Sequence, residues 1–205
     1  MNEQRSLRAF FALPPPLREQ IRTTAYAFGV LILIGFTAGM LRPEAVEPLM
    51  RLFVNAAAEV GIYDSQGGAL MATILSNNLL AMLFAIALGL IPFVHLPAME
   101  LGVNALLIGG LASFYVREGL GLTAYFAGTV PHGVVELPAL VIACACGLYL
   151  CRAVTNSVLG NGNARVVATV LSQCLRVYSH YILPLLGVAA FLEAYVTPLI
   201  FGQFL

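Results

Sequence analysis

Lysine is absent from this chain and charge of either sign is scarce: of 205 residues, 10% are charged and 60% are hydrophobic. A soluble domain of this length keeps far more charge on its surface, so a water-soluble fold is excluded. The polar–apolar alternation that marks a membrane barrel is missing as well. Formal net charge is zero, which leaves no argument for nucleic acid or for a polyanionic partner. No His-Glu-x-x-His pattern occurs, and no serine or cysteine stands beside the ionisable residues as a nucleophile. No small-residue cleavage site follows the first apolar run, which is therefore read as a signal anchor that stays in the bilayer.

What is present are apolar runs of about 18 or more residues, enough to cross a bilayer core. They predict an all-α polytopic membrane bundle of five spans with the amino terminus cytoplasmic. Residues 1–22 form a cytosolic arm with a proline-rich linker, Pro14-Pro15-Pro16, and residues 23–205 form the membrane domain. Leu7, Phe10, Phe11 and Leu13 suit that arm to the membrane surface. The spans are placed at Thr23 to Leu41, about Ala69 to Ile91, about Ala98 or Val103 to Val116, Pro131 to Leu150, and about Tyr181 to Phe204. The fourth is started at Pro131 because proline is favoured at the first helical position. The third is left open between a continuous and a re-entrant path, given Pro92, Pro97, Gly119, Gly121 and Gly128.

Arginine placement sets the orientation. Arg5, Arg8, Arg18 and Arg22 precede the first span, and Arg152, Arg165 and Arg176 follow the fourth, so both segments are cytoplasmic. Between the first two spans, Val46, Leu49, Phe53, Ala57 and Val60 recur at helical spacing opposite Glu44, Glu47, Arg51 and Glu59. That pattern predicts an amphipathic helix on the outer surface over Glu44 to Tyr63. A weaker cytoplasmic counterpart, Val166, Val170, Cys174 and Val177, follows the turn at Gly160-Asn-Gly-Asn163.

Helices in lipid pack along small residues. The stripes are Asn77, Ala81, Ala85 and Gly89 in the second span, Ala105, Gly109 and Ser113 in the third, and His132, Glu136, Ala139, Ala143 and Gly147 in the fourth. In the fifth they are Ala189, Glu193 and Thr197. Polar groups on these stripes are expected to point into the bundle. Gly35 and Gly39 in the first span form a further small-residue step suited to a homodimer. Cys144, Cys146, Cys151 and Cys174 are read as small apolar fillers, since Cys144 and Cys146, two apart on one helix, face different directions.

The chemistry concentrates at Thr129-Val-Pro-His-Gly-Val-Val-Glu-Leu-Pro138, where His132 and Glu136 stand one helical turn apart at the start of an apolar run. Ionisable groups are costly inside a membrane. On the predicted topology Asn77, Asn78, His132, Glu136 and Glu193 fall in the outer half of the bilayer, with Asn104 nearer the cytoplasm. His132, in a first helical turn, would meet unpaired backbone donors that disfavour a cation. His132 and Glu136 can both ligate one metal ion, although two ligands do not make a site and no cofactor is expected. Three readings stay open: a structural hydrogen-bonded cluster, a proton or ion site, and a metalloenzyme centre.

The same residues carry a resemblance. Ser76-Asn77-Asn78, Asn104 with Gly109, Pro131-His132-Gly133-x-x-Glu136-Leu137-Pro138-Ala139 with Gly147, and Glu193-x-x-x-Thr197-Pro198 make the chain similar to the stage II sporulation protein M family of bacterial and archaeal integral membrane proteins. The resemblance implies a helical multi-pass fold in the cell membrane. It also implies, for sporulating members, a part in engulfment, anchoring the peptidoglycan-degrading stage II sporulation proteins D and P. For this chain it implies a non-enzymatic scaffold or assembly subunit, with membrane lipids, copies of itself or envelope and peptidoglycan-remodelling proteins as partners. The rivals from the residues are a proton-, cation- or lipid-coupled transporter and an intramembrane metal-dependent hydrolase.

Overall fold

The computed structural model describes residues 13–59 and 66–204. The chain runs through α1 (Pro15–Leu41), α2 (Pro43–Glu59), α3 (Gly67–Ala87, prolonged by a 3-10 turn at Leu88–Leu90), α4 (Leu96–Arg117), α5 (Gly121–Val158) and α6 (Ala164–Phe201). Among the described residues, all but α2 are long and apolar enough to cross a membrane, five in number as the sequence predicts. The arm residues Leu7, Phe10 and Phe11 lie outside the described residues. Leu13 packs against the core beside the fully buried Leu17. The first helix starts at Pro15, earlier than Thr23, because the prolines occupy its N-terminal turn, where a missing N–H costs nothing.

α5 is the axis of the bundle, in contact with every other spanning helix. Of its most apolar stretch 56% is buried, against 22% for α1 and for α3, so the outer helices give most of their surface to lipid. It does not begin at Pro131. The helix starts ten residues earlier, behind a reversal in which Gly119 and Gly121 take left-handed φ of 74° and 80°, and it continues through Pro131 and Pro138. In lipid, ending a helix leaves many unpaired backbone groups, whereas each proline forfeits one bond, so the helix persists. His132 is consequently mid-helix, and the first-turn argument for it does not apply.

The last two expected pieces, a cytoplasmic amphipathic helix and a fifth span, form the single helix α6. Two π-turns interrupt it, Tyr178–Ile182 and Leu192–Val196. Each lies just ahead of a proline, Pro184 or Pro198, that cannot donate to the carbonyl four residues back. The wider spacing, with Leu183 N–H bonded to Tyr178 O and Thr197 N–H to Leu192 O, takes up the mismatch without breaking the helix. Asn163 caps its start by accepting from Val166 N–H at 3.0 Å.

The third span is continuous, not re-entrant. It pairs most extensively with α1, and here glycine permits backbone contact. A Cβ on Gly35 would lie 2.8 Å from the Leu106 carbonyl oxygen, and one on Gly109 would strike the Ile32 carbonyl. Gly39 sits against Ser113. The Gly35–Gly39 step is thus consumed inside the chain and is no homodimer surface. α3 and α5 approach equally closely, with Gly89 and Gly147 facing one another. α2 follows α1 after one residue; its Glu47–Arg51 pair is 2.6 Å apart and exposed. Val60 and the side chains of Phe53 and Ala57, assigned to its apolar face, lie outside the described positions.

All four cysteines are free and buried. Cys174 Sγ donates to the Cys146 carbonyl at 3.5 Å and Cys151 Sγ to the Ile91 carbonyl at 3.3 Å, which suits small fillers at helix contacts.

Candidate functional site

The polar residues of three spans do not all behave alike. In α3, successive residues turn 100°, so the four-residue steps from Asn77 to Gly89 walk about 120° around the helix. Ala85 and Gly89 are buried, whereas Asn77 and Ala81 are exposed on the lipid side. Asn78, one residue on, shares the inward face with Met82, Ala85 and Gly89. Its Nδ2 donates to Glu136 Oε1 at 3.0 Å. The expectation that Asn77 points into the bundle is therefore corrected: Asn78 does.

On α5 and α6 the expected stripes do converge. His132, Glu136 and Glu193 bring one nitrogen and two carboxylate oxygens within 4.8 Å of one another. His132 Nδ1 is hydrogen-bonded to Thr197 Oγ1 at 3.2 Å, and Thr197 is buried. The π-turn at Leu192–Val196 contains Glu193 and ends just before Thr197. It lets two residues of one helix reach two residues of another across a single contact.

Asn104 stands apart. It lies eight residues into α4, and its Nδ2 donates to the Glu100 carbonyl of its own helix at 2.9 Å. The outer cluster thus comprises Asn78, His132, Glu136 and Glu193, with Thr197 added by the structure. Thr197 was legible as the residue one turn beyond Glu193, but nothing in the sequence paired it with His132. Glu100 was missed altogether: its Oε2 is buried without a hydrogen-bond partner, and an acid near the start of an apolar run was the signal.

Electrostatics make the cluster expensive as it stands. Neither Glu136 nor Glu193 has an ion-pair partner among the described residues. Two carboxylates this close in a medium of low dielectric cannot both stay ionised unless something positive lies between them. Chemically, the arrangement can share protons or hold a cation. The other histidines do not contribute: His95 caps α4 with φ of 50°, its Nδ1 3.1 Å from the Phe93 carbonyl, and exposed His180 contacts Ser179 on the same helix.

A family model, that of stage II sporulation protein M, matches residues 24–198, which covers part or all of each spanning helix and the whole cluster. The chain belongs to the stage II sporulation protein M family. No curated protein and no solved structure matches it. Within this family member the Pro131–Pro138 element is the middle of the central helix, and its His132 and Glu136 supply two of the three groups that meet.

Thr197→Val tests the pairing. With its hydroxyl gone, His132 loses the partner that fixes the ring, and if the ring ligates an ion, binding in a calorimetric titration is expected to weaken about 10- to 100-fold.

Proposed function

We propose that this stage II sporulation protein M family member is a non-enzymatic scaffold or assembly subunit of the bacterial or archaeal cell envelope, whose bundle is clamped by a divalent cation at His132, Glu136 and Glu193. The convergence of those three groups within 4.8 Å carries the reading. A nitrogen and two carboxylates suit an ion of intermediate hardness, such as Zn²⁺, Mn²⁺ or Fe²⁺. Around a tetrahedral ion with bonds of roughly 2.1 Å, ligand atoms sit roughly 3.4 Å apart, so small side-chain rotations suffice. In the tautomer whose Nδ1–H donates to Thr197 Oγ1, His132 would offer Nε2 to the ion, and Asn78 holds Glu136 in place by donating to Oε1. The ion would tie α5 to α6 at this contact, which fixes the bundle's shape for a protein that presents surfaces to partners.

Elemental analysis of the purified protein, followed by chelation and re-titration with Zn²⁺ and Mn²⁺, tests the clamp. One ion per chain is expected, with a rise in melting temperature on binding. Absence of stoichiometric metal together with absence of any thermal shift rejects it. A second reading, proton-coupled transport, draws on the arrangement at Glu136, where Asn78 engages Oε1 and leaves the other oxygen able to take a proton. Proton-driven flux in metal-free proteoliposomes, lost in Glu136→Gln, supports that reading instead.

A further inference from the structure

Asn77 is the anomaly that the polar cluster does not absorb. It lies ten residues into α3, about 15 Å from the helix's outer end, and so near the middle of a bilayer core of about 30 Å. Its side chain is exposed on the outer wall of the bundle and has no hydrogen bond among the described residues. A carboxamide facing hydrocarbon leaves two donors and an acceptor unsatisfied, where each costs free energy and water is not at hand to replace them. Its neighbour Asn78 already serves Glu136, so the inward position is filled. The backbone cannot turn both residues inward, because they are 100° apart on one helix.

Around Asn77 the surface is a shallow hollow lined by Leu80, Ala81, Leu83, Phe84 and Ala87 of the same helix. Leu80 and Phe84 are 68% and 60% exposed, so they project from the wall. Ala81, one turn from Asn77, forms the floor, with Thr73 one turn to the other side. A helix seated there can approach within the usual 8–10 Å between axes, the range in which asparagine side chains from both helices meet.

We propose that this face of α3 binds the same face of α3 in a second copy of this chain, through a reciprocal Asn77–Asn77 amide pair. The occupant follows from the chemistry of the group. A carboxamide is self-complementary, donating through Nδ2 and accepting through Oδ1, so two of them close two hydrogen bonds. A two-fold axis along the membrane normal keeps both copies in the same orientation and places identical residues at identical depth. Asn77 therefore meets its twin with no adjustment along the axis. A cationic or anionic partner helix is disfavoured, because Asn77 offers no charge and no ionisable residue lines the hollow. This surface is turned away from Asn78 around α3, and the pairing stands whether or not the cluster binds an ion.

Oxidative crosslinking in native membranes tests the pairing. Asn77→Cys is expected to give a disulfide-linked dimer, whereas Leu33→Cys, equally lipid-facing on α1 with 66% exposure, is expected to give none. The wild type supplies the background, since its four cysteines are buried. In vesicles diluted with lipid, Asn77→Leu is expected to weaken self-association roughly 3- to 30-fold, the range for a hydrogen bond between helices in lipid. The monomer should keep its melting temperature, because leucine suits a lipid-facing position. The proposal is overturned by a wild type that stays monomeric at every protein-to-lipid ratio. Equal crosslinking at positions 33 and 77, or capture at position 77 of a different protein with no self-dimer, overturns it equally.

Discussion

Gly109→Leu is expected to cost the protein its fold. α1 and α4 touch backbone to backbone at this level, and a Cβ on Gly109 would strike the Ile32 carbonyl while lying 2.6 Å from Phe36 N. Overpacking a core ordinarily costs about 1–3 kcal/mol because neighbouring side chains rotate aside. Here the obstruction is helical backbone, which moves only if the whole of α1 shifts and gives up its contact along α4. A loss of about 3 kcal/mol or more is the consequence, or about 10 °C in melting temperature for a chain of this size. Size-exclusion chromatography of the detergent-solubilised variant should show an aggregated or much reduced peak. Gly29→Ala is the control: nothing lies within 4 Å of its Cβ position, and replacing glycine in a helix is expected to leave stability unchanged or slightly raised. Equal behaviour of the two variants would refute the close approach of α1 and α4.

The paired substitution Glu136→Gln with Glu193→Gln is expected to move binding and stability in opposite directions. Without an ion, the two carboxyl groups must carry charge or hold protons in a poorly solvated site, so neutral amides of nearly the same shape remove that cost. The metal-free variant should melt at or above the temperature of the metal-free wild type. With Zn²⁺ or Mn²⁺ present the order should reverse. The wild type gains stability in proportion to the logarithm of ion concentration over Kd, about 2.7 kcal/mol at a hundredfold excess, and the variant gains nothing. A purely structural cluster predicts the contrary pattern, a variant destabilised in both conditions with no dependence on metal. Thermal melting with and without chelator distinguishes the two.

Several elements were legible without coordinates because each depends on local composition. Five spans follow from the length of apolar runs, and the turn at Gly160–Asn163 follows from residues that few other conformations suit. Helix ends were less legible. Pro131 reads as a start signal by the preferences of helices in water, yet in lipid the saving in backbone hydrogen bonds carries α5 through it. Pro184 and Pro198 lie near the ends of the expected fifth span, and the structure carries the helix past both by π-turns. At the site, His132 and Glu136 were evident from their spacing on one helix. Glu193 was evident as a member of a stripe, and Asn77 was assigned inward by a four-residue step that drifts around a 3.6-residue helix.

Composition and pattern by themselves determined that this chain is a multi-pass helical membrane protein of the stage II sporulation protein M family, with ionisable residues placed inside its spans. Those properties are additive along the chain, since apolar length and motif spacing need no knowledge of neighbours. Tertiary structure alone decided that Glu193 and Thr197 of α6 meet His132 and Glu136 of α5, that Asn78 and not Asn77 serves the cluster, and that Gly35 and Gly39 pack within the chain. Each is a question of helix rotation. A turn of 100° per residue exchanges an inward side chain for an outward one, and that angle is set by how five helices pack against one another.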